Sequence, residues 1–177
     1  GDFRELYDVL RKQFNGNACK YLLESIKAKE CIPLVKEYQA SGKKVVLFHQ
    51  SMKAKKAVHP FRLGHGNHEE NVLHQYELFK MKRPDLLGLN VASLLSPRET
   101  LQNAFGDDIM MYNGETPKSE KDDIVRQFQD DNSGKNLILV QQDAGNAGIS
   151  LHDTTGKHQR VLINLSMPTR PIYATQI

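Results

Sequence analysis

Four short runs of the chain are apolar with no polar alternation: Val45-Val46-Leu47-Phe48, Ile109-Met110-Met111-Tyr112, Leu137-Ile138-Leu139-Val140 and Val161-Leu162-Ile163-Asn164-Leu165. A strand with one wet face alternates, so unbroken runs of this length predict strands buried on both faces, as in a parallel sheet. Between the second and third runs, Pro117 to Gln129 sets Ile124, Val125 and Phe128 on one side of a helix and charges elsewhere. A strand, helix, strand order of this spacing calls for a crossover connection, and hence for an α/β domain of three layers with a mainly parallel sheet.

The first forty residues carry apolar positions at helical spacing: Phe3, Leu6, Val9 and Leu10, then Leu22, Leu23 and Ile26, then Leu34, Val35 and Tyr38. Pro33 suits the first position of a new helix and Gly42 suits a stop, so three helices in series are expected. They form an N-terminal helical extension, residues 1–42, ahead of the domain at 43–177. Residues 58–107 read as a partly helical insertion: a His-rich turn around Gly64-His65-Gly66, a helix near Glu69 to Met81, and an apolar run, Leu86 to Leu95, that suits either a core strand or a docking surface. A helix opens at Ser96-Pro97-Arg98-Glu99, with Ser as cap, Pro first and Glu third.

Composition changes this picture little. A length of 177 residues fits one domain with a real core, and 24 Lys+Arg against 21 Asp+Glu leave a net charge of +3, so any basic surface must be local. Cys19 and Cys31 are too few for a disulfide framework, which suggests a reducing, intracellular setting, nucleus or cytoplasm. No run approaches the roughly 20 apolar residues of a membrane span, and no membrane partner is expected.

In open parallel sheets, ligands bind beyond the carboxyl ends of the strands. The residues there are His49-Gln50-Ser51, Asn113-Gly114-Glu115-Thr116 and Gln141-Gln142-Asp143-Ala144-Gly145-Asn146-Ala147-Gly148-Ile149-Ser150. Small, polar, glycine-bearing loops let backbone N–H groups approach phosphates closely. In order, these segments resemble the second RecA-like lobe of superfamily-two helicases, on the branch of the Swi/Snf-type and strawberry notch-like ATPases. Lys43 to Ser51 resembles the lobe's first strand. Tyr112 to Pro117 with Arg126-Gln127-Phe128 resembles its strand, Gly turn and helix, and Leu137 to Leu151 its fifth motif. Pro171 to Gln176 resembles the approach to the sixth motif, and the sequence ends one residue later, as a fragment cut before that motif's arginines would. Gln141-Gln142 stand where the family often has Ser-Thr, and Asp143 where it has Lys or Arg.

The resemblance implies a nucleic-acid-dependent ATPase, a helicase or translocase, in which this lobe meets a first RecA-like lobe of the same polypeptide across a cleft for ATP and Mg²⁺. By position in the matching motifs, it implies nucleic-acid contacts from His49, Gln50, Ser51, Asn113, Gly114, Gln141, Gln142, Ala144 and Gly145, with DNA the preferred partner and RNA an alternative. It puts Gly148, Ser150 and Gln176 toward ATP. The chain has no G-x-x-x-x-G-K-[ST] loop and no D-E-x-x box, so by itself it is expected to be catalytically inactive and to hold neither ATP nor Mg²⁺.

Other readings compete. Lys53, Lys55 and Lys56 form either a phosphate-contacting patch or a solvated face. His59, His65, His68 and His74 suit an exposed loop better than a metal site, and no metal is expected. A Rossmann-type enzyme lacks its glycine fingerprint here. A RecA-like scaffold or protein-interaction module without ATPase activity stands as the alternative function.

Overall fold

The computed structural model describes residues 3–50, 57–145 and 149–166. Ser51, Lys53, Lys55, Lys56, Gly148 and the segment from Pro171 to Gln176 lie outside them. The fold is α/β: a four-stranded, all-parallel sheet in the order β2-β3-β1-β4, from β1 (Lys44–His49), β2 (Ile109–Tyr112), β3 (Leu137–Gln141) and β4 (Arg160–Asn164). The four apolar runs became these strands. β1 and β3, at the centre, are buried at every position, whereas edge strand β4 is buried at none. The arrangement is consistent with a three-layer RecA-like domain.

Alternate side chains of a strand point to opposite faces, and the core divides accordingly. On one face Val45, Leu47, Leu137 and Leu139 pack with Ala28, Cys31 and Val35 of helix α2 (Gly16–Ala40) and Leu101 and Phe105 of α5 (Pro97–Phe105). On the other, Val46, Phe48, Ile138 and Val140 pack on Phe128 of α6 (Lys118–Gln129), with Ile124 and Val125 beside it. Ser96 caps α5 as expected, its Oγ accepting the Glu99 N–H at 3.1 Å. A short 3₁₀ turn, Gly106–Asp108, leads from α5 into β2.

Two expectations for the N-terminal segment are corrected. There are two helices, not three: α1 (Arg4–Gln13), then a continuous α2 that runs through Pro33. The proline ring cannot donate to the Lys29 carbonyl. Both residues are exposed, so water can take the place of the lost hydrogen bond. The buried face of α2 is only partly the predicted one: Val35 is buried and Tyr38 packs on the core as expected, but Glu24, Ser25, Ala28 and Cys31 face inward as well, while Leu23, Ile26 and Leu34 are exposed. Small side chains let the helix lie close on the sheet. Gly42, at a φ of 78° that L side chains rarely adopt, turns the chain from α2 into β1.

Between β1 and β2 come α3 (Glu70–Lys82), α4 (Pro84–Leu87) and α5. α3 packs on α1 in a separate apolar cluster of Leu6, Leu10 and Val72, edged by Phe3 and Phe79. The run Leu86 to Leu95 forms no strand. Its first residues close α4, Val91 is buried, and Leu89 and Leu95 are exposed. Among the described residues, no helix is long and apolar enough to cross a membrane.

Candidate functional site

The connections fix which residues meet at the carboxyl edge of the sheet. α2 leads by a tight turn into the start of β1 and so runs back alongside it, which brings the helix's earlier turns to the strand's far end. Glu24 is 2 % exposed there, and its Oε1 accepts the backbone N–H of Gln50 at 2.7 Å. His49 ends β1, paired in register with Gln141 at the end of β3, and each is 3 % exposed.

The turn after β2 is ordered by its own side chains. Thr116 Oγ1 accepts the Asn113 N–H at 3.1 Å, and Asn113 Oδ1 accepts the Glu115 N–H at 2.9 Å. Gln141 reaches across from β3, its Oε1 accepting the Gly114 N–H at 3.2 Å. The open space at Gly114 suits such an approach: a Cβ there would come no closer than 3.6 Å to Gln141 Oε1. Beyond β3 the chain enters a single helical turn, α7 (Gln142–Gly145), with Gln142 buried, Asp143 exposed and Ala144 packed beside the α6 face. Gln142 Nε2 donates to Asn164 Oδ1 at 3.1 Å, which joins the ends of β3 and β4 across β1.

Among the described residues, Gln141 Nε2, Asn164 Nδ2 and Ser166 Oγ are buried polar atoms at this edge without a hydrogen-bond partner. Each is chemically able to donate to an oxygen. Leaving a buried polar group without a partner costs about 1–3 kcal/mol, so three at the ends of β3 and β4, on either side of β1, mark a place that is built at the expense of stability. Positive charge is close by. Arg98 in the first turn of α5 pairs with Glu115 at 3.8 Å, exposed Lys118 opens α6, and Lys121 Nζ lies 5.4 Å from the centre of the Tyr112 ring. Burial, and then the charge of Asp122, hold the Tyr112 phenol above its ordinary pKa.

Of the predicted residues, His49, Gln50, Asn113, Gly114, Gln141, Gln142, Ala144 and Gly145 meet at this edge. They are not equally accessible. Gly114 is exposed and Asn113 half-buried, whereas His49, Gln141 and Gln142 are nearly enclosed. Ser150 is elsewhere. Its carbonyl accepts Gln129 Nε2 at 2.7 Å, and Gln129 closes α6 at the amino edge of the sheet, so Ser150 does not join the carboxyl-edge residues. Gly148 and Gln176 lie outside the described residues, and no hydrolytic step is assigned to this edge.

Sequence reasoning missed Glu24, Asn164, Ser166 and Arg98. Asn164 alone carried a signal, a polar residue inside an apolar run. Of the histidines considered for metal, His59 and His68 have ring nitrogens against the carbonyls of Leu89 and Gly64, at 3.1 Å and 2.8 Å. A scan of protein-family models finds none that matches the chain, and comparison with curated proteins and with solved structures finds no match either.

Proposed function

We propose that the chain is the second RecA-like lobe of a nucleic-acid-dependent ATPase of helicase superfamily two, and that its carboxyl edge follows a nucleic-acid backbone. The observation that carries this reading is the cluster of unpartnered buried donors at Gln141, Asn164 and Ser166, set beside a glycine turn at the carboxyl ends of parallel strands. Phosphate oxygens are acceptors only, so donors left over at this edge suit a backbone better than a base edge.

The division of labour follows from exposure. The Asn113-Gly114 turn and the rim of α7 meet the backbone, with Lys118 and Arg98 supplying charge. Gln141, Gln142 and Glu24 hold the loops in place. ATP and Mg²⁺ belong to the cleft formed with a first lobe of the same polypeptide. DNA is the preferred partner.

Fluorescence anisotropy of short labelled duplex DNA, single-stranded DNA and RNA tests this directly. The expected result is saturable binding to DNA whose affinity falls with salt by a log–log slope of roughly 0.9 per phosphate contacted, weakened several-fold by Lys118→Glu. No binding to any of the three by the folded chain overturns the reading. The RecA-like scaffold without motor function would then take its place.

A further inference from the structure

Well away from the sheet, α1 and α3 border a groove that the motor reading does not use. Its volume is about 450 Å³, with Leu6 and Leu10 as floor and Phe3, Tyr7, Phe61 and Phe79 among its walls. Tyr7 is 61 % exposed at its lip, so this is a groove open along one side and not an enclosed cavity.

The far wall is held in place by side-chain hydrogen bonds that contribute nothing to the main core. The Gln13 amide donates to the carbonyls of His59 and Arg62, at 3.4 Å and 2.6 Å, and its Oε1 accepts the Gly64 N–H at 2.6 Å. His59 Nδ1 accepts the N–H groups of Phe61 and Arg62 at 3.0 Å and 3.1 Å. A Cβ on Gly64 would stand 2.8 Å from Gln13 Oε1, so this close latch favours glycine. Phe61 is thereby fixed over the groove, its ring centre 6.3 Å from that of Phe79. A wall fixed in advance saves a ligand the entropy of ordering it.

The charge on the groove's lining is positive. Arg11 is the only charged lining residue, and it takes part in no ion pair among the described residues. Near the opposite end, Lys82 of α3 sets its Nζ 5.3 Å from the centre of the Phe3 ring. From Phe3 to Arg11 the helix advances about 12 Å at a rise of about 1.5 Å per residue. The apolar floor thus lies between two cations, an extended pattern that a compact ligand could satisfy at one end only.

From this pattern we infer that the groove docks an amphipathic helical segment of a partner protein, one that carries large apolar anchors a helical turn apart with acidic residues on either side. Apolar anchors at i and i+3 or i+4 give such a peptide its affinity, and its flanking carboxylates, facing Arg11 and Lys82, set its orientation. The inference is independent of nucleic-acid binding at the sheet edge, which lies on other elements.

The test is anisotropy of two labelled synthetic helical peptides with the same Leu and Phe anchors, one flanked by Glu and the other by Lys, against the 177-residue chain. The Glu peptide is expected to saturate and to bind about tenfold more tightly than the Lys peptide. Arg11→Glu should reverse that order, and Tyr7→Asp should abolish binding of both; each change is on an exposed side chain, and circular dichroism checks that the fold is kept. The proposal is overturned if neither peptide saturates, if Arg11→Glu leaves the order unchanged, or if decanoate binds the groove while the Glu peptide does not.

Discussion

Gln141→Met should make the protein more stable and worse at its task. Gln141 is 3 % exposed, its Nε2 has no partner, and its Oε1 accepts the N–H of Gly114, which is exposed. Methionine matches the length and nearly the volume of glutamine, so the change removes polarity with little repacking. Deleting an unmade buried donor recovers about 1–3 kcal/mol, and the Gly114 N–H it abandons can turn to water, at a cost below the roughly 0.5–1.5 kcal/mol of an ordinary hydrogen bond. The net expectation is a gain of about 1–2 kcal/mol.

Urea unfolding followed by circular dichroism measures it. With an m-value of about 2 kcal/mol/M, the midpoint should rise by roughly 0.5–1 M at unchanged slope. On the proposed function, DNA affinity should also fall in this variant, because the Gln141 side chain no longer holds the Gly114 turn. A midpoint that drops by a comparable amount would refute the reasoning, since it would mean that the Gln141 amide is satisfied and contributes to the fold.

Two further outcomes concern titrating groups. Burial and, less strongly, the charge of Arg62 lower the His59 pKa from 6.5, against the raising effect of its contact with the Leu89 carbonyl. The unfolded chain therefore takes up a proton first on acidification, so stability is full above pH 6.5 and declines as pH falls below it; an NMR titration midpoint for His59 at or above 6.5 contradicts this. Burial pushes the Cys31 thiol up to about 11, whereas Cys19 is half-buried. A disulfide reagent at mildly alkaline pH should label Cys19 promptly and Cys31 only as the chain opens, and equal rates would show that α2 is not packed on the sheet as described.

Much of the sheet was legible because its central strands, β1 and β3, are buried on both faces and so read as unbroken apolar runs such as Val45 to Phe48, whereas β4 was read as buried and is an edge strand buried at no position. The capped start at Ser96 and the face of α6 were legible for equally local reasons. α2 was not. Its apolar residues Leu23, Ile26 and Leu34 are the conspicuous ones, but the sheet selected the smaller side chains of Ser25, Ala28 and Cys31, with Val35, because they allow close approach. Pro33 was read as a boundary because propensity penalises it inside a helix, and its exposed position softened that penalty. That the loops after β1, β2 and β3 open at one edge followed from the parallel order of their strands. Which residues of that edge would be enclosed depended on long-range partners such as Gly114 for Gln141 and Asn164 for Gln142, to which local sequence is blind. The position of Ser150 beside the end of α6 was not legible for a related reason: spacing within a loop does not say toward which edge the chain turns.

The two edges of the sheet treat their buried donors differently, although Asp131 Oδ1 at the amino edge, an acceptor, also lacks a hydrogen-bond partner among the described residues. At the amino edge, buried Lys44 contacts the Phe128 and Asp130 carbonyls and pairs with Asp131 at 3.3 Å, and Thr155 donates to the same carboxylate at 2.7 Å. Arg160 gives its guanidinium to the carbonyls of Leu151 and His158 and to Gln129 Oε1, and both cations lie over the Phe128 ring, at 5.5 Å and 5.2 Å. The donors of both cations are met there by protein. At the carboxyl edge, the side chains of Gln141, Asn164 and Ser166 keep atoms without partners. A fold able to satisfy two buried cations at one end of its strands did not lack the means to satisfy three neutral side chains at the other. The difference is explained if the carboxyl edge is completed by groups beyond the described residues, and on the proposed function an oxygen-rich backbone is one that its leftover donors fit.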